Sequence, residues 1–146
     1  MSNVIKLPEI LKELMEEHNL TPDQLAVETT IPIANIYEYL SGAHTPYFEN
    51  FVTLLYRFEC SADFLLGLTE FDTNEILHPV LPFHERLRAI LKEKKMSQNK
   101  LRLSLQSSTS AMYKWTSGKS SPTLITLIRM ATALDCSVDY LIGRVR

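Results

Sequence analysis

Apolar residues recur along this chain in short bursts at helical spacing. Leu11, Leu14 and Met15, with His18, fall on one face of a helix that ends before Asn19. Thr21 follows as an N-cap, with Pro22 at the first helical position and Gln24 placed to close a capping box; the second helix runs from there to about Glu28. A third helix is predicted over 33–40, stopped by Gly42, and a fourth over 48–58. A fifth starts behind the cap Ser61, with Asp63 in its first turn, where a negative charge suits the helix dipole. No useful length of chain alternates apolar and polar residues with period two, so no sheet is expected.

The same punctuation then returns. A shift of 76 residues aligns 7–70 with 83–146 without a gap, and 13 of the 64 pairs are identical. Ser41-Gly42 meets Ser117-Gly118, Pro46 meets Pro122, and Cys60-Ser61-x-Asp63-x-Leu65-x-Gly67 meets Cys136-Ser137-x-Asp139-x-Leu141-x-Gly143. Helices are therefore predicted over 83–94, 98–105, 109–116, 124–134 and 138–142, with Ser97, Ser108 and Ser137 as N-caps. Pro79 and Pro82, in a stretch of mixed polarity, mark 71–82 as a linker. The expected architecture is all-α, with two tandem five-helix domains over 5–70 and 83–146.

Composition narrows the function. Of 146 residues, 45% are hydrophobic, enough for packed cores. The first residues carry no secretory pattern, and no stretch nears the ~20 apolar residues that span a bilayer, so a cytoplasmic protein without membrane contact is expected. Cys60 and Cys136 are too few for a disulfide framework; their equivalent positions before the fifth helix read as small buried hydrophobes. His18, His44, His78 and His84 lack metal-ligand spacing, and no phosphate loop or nucleophile motif is present, so neither a cofactor nor an enzyme is expected. Glu13, Glu16 and Glu17 read as a solvated helix face. The net charge of −2 hides a strong asymmetry. Residues 1–76 hold three Lys/Arg against thirteen Asp/Glu, a net −10; residues 77–146 hold twelve against four, a net +8. Such halves are suited to different partners.

In the second copy the order Ser97-Gln98-x-x-Leu101, Ser108-x-x-x-Met112-x-x-Trp115-x-x-Gly118-Lys119-x-x-Pro122, Leu127-x-x-Met130-Ala131-x-Ala133-Leu134, Val138-x-Tyr140-Leu141-x-Gly143 resembles the phage Cro/repressor (XRE-type) helix-turn-helix family. The resemblance covers essentially all of the second copy and, more loosely, the first. It implies tandem lambda-repressor-like domains and a sequence-specific regulator of transcription, a repressor, that binds double-stranded DNA. In this family the third helix enters the major groove. Carried over, the resemblance assigns Thr109, Ser110, Tyr113 and Lys114 to base edges, Gln98 to the backbone at the edge of the site, and Ser108, Lys119 and Ser120 to phosphates, with capping as the main role of Ser108. The second copy departs from the family in carrying Arg102 after the helix-two leucine and Gln106 in place of the turn glycine; the first keeps Ala26 but has Thr30.

The first copy reads differently at the same places. Ile33, Ala34, Tyr37 and Glu38 replace Thr109, Ser110, Tyr113 and Lys114, while Pro22, Pro32 and Ala43 replace Gln98, Ser108 and Lys119. DNA, with a phosphate charge every ~1.7 Å, repels such an acidic domain. Ile33, Tyr37, Glu38 and Leu40 are therefore assigned to a partner surface, with Ile33, Tyr37 and Leu40 partly exposed. Ile36 and Tyr39 turn inward, like Met112 and Trp115. Outside the surface roles of Tyr37 and Tyr113, Trp115 and the tyrosines are read as core. The leading expectation is a homodimer in which the second copy reads DNA and the first supplies dimerisation or partner contact. Two alternatives stand beside it. Both copies could touch DNA as a pseudo-dimer, or the chain could be a protein-interaction module, of anti-repressor or antitoxin-like kind, that offers its acidic copy to a basic protein.

Overall fold

The computed structural model describes residues 5–146, and among them there are ten α-helices and no strand. The chain divides into two compact units, with the division between Asn74 and Glu75.

Unit 1 contains α1 (Leu7–Glu17), α2 (Pro22–Thr29), α3 (Ile33–Ser41), α4 (Phe48–Phe58) and α5 (Ala62–Leu65). Helix α3 packs on α1 and α2, α5 on α1, and α4 on α2. Leu11, Leu25, Ile36, Phe51 and Leu65, one from each helix, are fully buried at the centre of the unit. The capping box forms as its residues predict: Thr21 Oγ1 accepts from the Gln24 N–H and Gln24 Oε1 accepts from the Thr21 N–H. Ser61 caps α5 through the Phe64 N–H.

Unit 2 contains α6 (Phe83–Glu93), α7 (Gln98–Leu105), α8 (Thr109–Ser117), α9 (Leu124–Ala133) and α10 (Val138–Ile142). Helix α8 packs on α6 and α7, α10 on α6, and α9 on α7, repeating the scheme of unit 1. Every helix starts 76 residues after its counterpart. The backbone repeats in finer detail. Among the described residues, the ten of positive φ form five pairs with the same offset: Asn19 and Lys95, Thr30 and Gln106, Gly42 and Gly118, Glu59 and Asp135, Gly67 and Gly143. Only two of the five pairs are glycine, so the local chain path is held by packing as much as by residue type.

The stretch expected as a linker is not free chain along its length. The Asp72 carboxylate accepts from the Ser61 N–H within unit 1. Within unit 2, the His78 N–H donates to the Arg144 carbonyl (2.7 Å) and the Leu81 N–H to that of Ile142 (3.1 Å), while the Arg144 guanidinium returns a bond to the His78 carbonyl.

Burial corrects two expectations. Ile36 and Tyr39 are core, as is Cys60, but Trp115 and Cys136 are only half-buried and Tyr47 and Tyr56 are exposed. For the two tyrosines the reason lies in α4. Phe48, Phe51, Leu54, Leu55 and Phe58 already complete its inner face, so Tyr47, at the N-cap, and Tyr56 fall outside it. Among the described residues no helix is long and apolar enough to cross a membrane.

Candidate nucleic-acid interface

Helix α8 begins at Ser108, whose hydroxyl accepts from the Ala111 N–H at 3.0 Å, fixing the start of the helix. It ends at Gly118, which has φ +84 and a neighbour that leaves no room for a side chain: a Cβ there would lie 2.9 Å from His84 Nδ1. Between these ends, Met112 and Thr116 turn into the core. Thr109 and Tyr113, and Ser110 and Lys114, are therefore paired at i, i+4 on the solvent side, and all four are exposed.

The turn after α8 folds back on the helix. The Lys119 and Ser120 N–H groups both donate to the Lys114 carbonyl, at 3.0 and 3.3 Å. Lys119 Nζ then sits 5.1 Å from the centroid of the Tyr113 ring, a cation–π contact that holds the ammonium on the outer face of α8. Gln98, at the first position of α7, is exposed behind the Ser97 cap. All eight residues that sequence reasoning assigned to DNA are thus at the surface. Tyr113, Lys114, Lys119 and Ser120 are drawn together by the turn, and Thr109 and Ser110 stand on the same helix face as Tyr113 and Lys114.

Sequence reasoning missed what fixes this helix pair. Arg88 on α6 donates to the Thr116 carbonyl in the last turn of α8 at 2.7 Å. Arg129 on α9 donates to the Leu105 carbonyl at the end of α7 at 2.8 Å. Arg102 bridges the Asn99 side chain and the Ser107 carbonyl, just before the α8 cap. The guanidinium groups of Arg88 and Arg129 meet carbonyls in the last turns of α8 and α7, which lack helical partners and where the helix dipole also favours a cation. The one available signal was Arg102, which stands where the resembling family has a small residue.

The corresponding face of unit 1 has other chemistry. Pro32 provides no side-chain cap to α3. Tyr37 is 55% exposed and Ile33 37%, while Glu38 and Leu40 are half-buried. The Glu38 carboxylate lies 3.0 Å from His44 Nδ1, on the side of α3 that faces the following turn. The four residues assigned to a partner do not form one site. Tyr37 and Leu40 line a groove of about 450 Å³ together with α1, whereas Glu38 belongs to a separate hollow of about 390 Å³ with Asn35, His44 and Tyr47. Among the described residues no cluster of His, Cys, Asp or Glu could hold a metal ion.

Residues 87–141 match the family model described as Helix-turn-helix, a span from the middle of α6 to α10 that includes all of α7 and α8. This part of unit 2 is therefore similar to helix-turn-helix proteins. Neither the curated proteins nor the solved structures return a match.

Proposed function

We propose that the chain is a cytoplasmic, sequence-specific DNA-binding regulator of transcription, a repressor rather than an enzyme, with two helix-turn-helix units of unequal role. One observation carries this reading: within the segment similar to helix-turn-helix proteins, the exposed face of α8 presents Thr109, Ser110, Tyr113 and Lys114 beside Lys119. In the proposed complex, α8 lies in the major groove. Hydroxyls and the Lys114 ammonium meet base edges, while Gln98, Ser108, Lys119 and Ser120 meet the backbone. A single small reading unit supplies a limited interface, so two copies on half-sites about one helical turn apart give useful specificity. Selection of bound sequences from a random DNA pool by the full chain tests the reading. A recurrent motif, with two half-sites in the homodimer case, is expected; recovery of unenriched sequence would overturn it.

A second reading concerns unit 1. The apolar groove beside Tyr37 supports a protein-facing role for the acidic half, with unit 2 retaining the DNA. Titration of the full chain with the selected site separates this from a pseudo-dimer, because only the latter gives contacts along α3.

A further inference from the structure

The groove of unit 1 is lined by Met15 on α1, Leu20 in the following turn, Pro22 at the start of α2, and Tyr37 and Leu40 on α3. Lys12, Glu16 and Ser41 supply its polar side. Unit 2 treats the same place differently. At the shared offset, Arg88 stands for Lys12 and Thr116 for Leu40, and the Arg88 guanidinium is bonded to the Thr116 carbonyl. An arginine thus ties together the two helices that in unit 1 flank an apolar hollow. Two rim positions, Pro22 and Tyr37, are the counterparts of Gln98 and Tyr113, so the hollow reaches the face with which unit 2 is proposed to meet DNA.

A hollow of about 450 Å³ is at the small end of ligand-site sizes and accommodates one or two bulky side chains rather than a domain. Charge then selects what carries them. Glu9, Glu13, Glu16 and Glu17 are exposed along α1 against Lys12, within a half of net charge −10. A second unit 1 would set two acidic faces together, and DNA would meet the same repulsion. A cationic surface would be attracted.

We propose that this groove is the docking site for an amphipathic helix of a cationic partner protein. The helix seats aliphatic or aromatic side chains between α1 and α3, and its Lys and Arg residues face the acidic side of α1. The proposal rests on the reading of unit 1 as the protein-facing half of the regulator.

The test uses the full chain labelled for amide NMR. The probe is an 18-residue helical peptide with two Leu at i, i+4 flanked by Lys and Arg; one control peptide has the Leu changed to Ser, the other has the Lys and Arg changed to Glu. Saturable shifts are expected at Leu20, Tyr37 and Ser41 with the probe, and at least tenfold weaker binding with either control. Tyr37→Ser and Glu16→Lys alter exposed side chains and leave the core intact. Each is expected to weaken the peptide at least tenfold while DNA affinity stays unchanged, which separates this proposal from the DNA-reading assignment. Four results would overturn it: no saturable shift at the groove, equal binding of the Glu peptide, concentration-dependent shifts there without peptide (a second copy), or shifts there on adding DNA.

Discussion

Thr30 holds a conformation that its side chain disfavours. It ends α2 in the left-handed region, φ 58 and ψ 16, although it is β-branched. Gln106 does the same at the end of α7, φ 55 and ψ 37. The sequence marks both as departures from a family that has glycine in this turn, and the structure shows that the turn persists without it. The compensation is visible around Thr30: the Thr29 hydroxyl donates to the Leu25 carbonyl and accepts from the Ile31 N–H, which braces the chain on both sides. The strain remains as a cost. Thr30→Gly relieves a penalty of roughly 1–2 kcal/mol for a side chain in this region, offset in part by glycine's greater freedom in the unfolded chain. A net gain of about 1 kcal/mol is expected, read as a rise in the denaturant midpoint at unchanged m-value. A fall in midpoint would mean that the Thr30 hydroxyl bond to the Thr29 carbonyl outweighs the strain.

Helices were the legible part of this protein, because apolar periodicity marks the longer ones and a side-chain cap opens six of the ten among the described residues. Thr21, Ser97, Ser108 and Ser137 all accept the N–H three residues on. The contacts between helices were not legible, because they join residues far apart in sequence through long polar side chains. Tyr140 shows the difference. It reads as a partner of Phe64 in the repeat and is expected in the core, yet its hydroxyl reaches back across 47 residues to donate to the Glu93 carboxylate at 2.6 Å, pinning α10 to the end of α6. The hydrogen bond to Glu93, then desolvation and the Glu93 charge, raise the phenol pKa above its ordinary value, with Arg86 opposing. The folded protein therefore keeps a proton that the unfolded chain releases near pH 10. The stabilisation is complete below about pH 10 and is lost as pH rises through the higher folded value. In urea unfolding at about pH 8 and about pH 11, the wild-type chain is expected to lose more stability than Tyr140→Phe across that interval. Equal losses would show that the bond contributes nothing to folding.

The division of charge between the two units looks, from composition alone, like a basic half made for DNA. The structure divides those cations further. Of the twelve in 77–146, Arg86, Arg88, Arg102, Arg129 and Arg144 each donate to a backbone carbonyl within unit 2. The guanidinium fork suits this work, since it presents several donors in a fixed plane to backbone carbonyls in loops and at helix ends. Lys114 and Lys119 instead stand exposed on and beside α8, one of them held over Tyr113. The two cation types are thus expected to fail in different ways when removed. Lys114→Ala with Lys119→Ala leaves the core and the helix ends untouched, so thermal stability holds. The lost Lys119 phosphate contact reduces the slope of log K against log salt by about 0.9, and the lost Lys114 base contact weakens binding and relaxes specificity. Arg129→Ala removes the donor from the Leu105 carbonyl at the end of α7, with a cost of about 1–3 kcal/mol in folding. Its salt slope stays that of the wild type, measured at a temperature where the variant is folded. Titrations of the selected site from about 50 to 200 mM salt, beside denaturation curves for each variant, distinguish the outcomes. A reduced slope for Arg129→Ala, or an unchanged slope for the lysine pair, would move the DNA-facing surface away from α8.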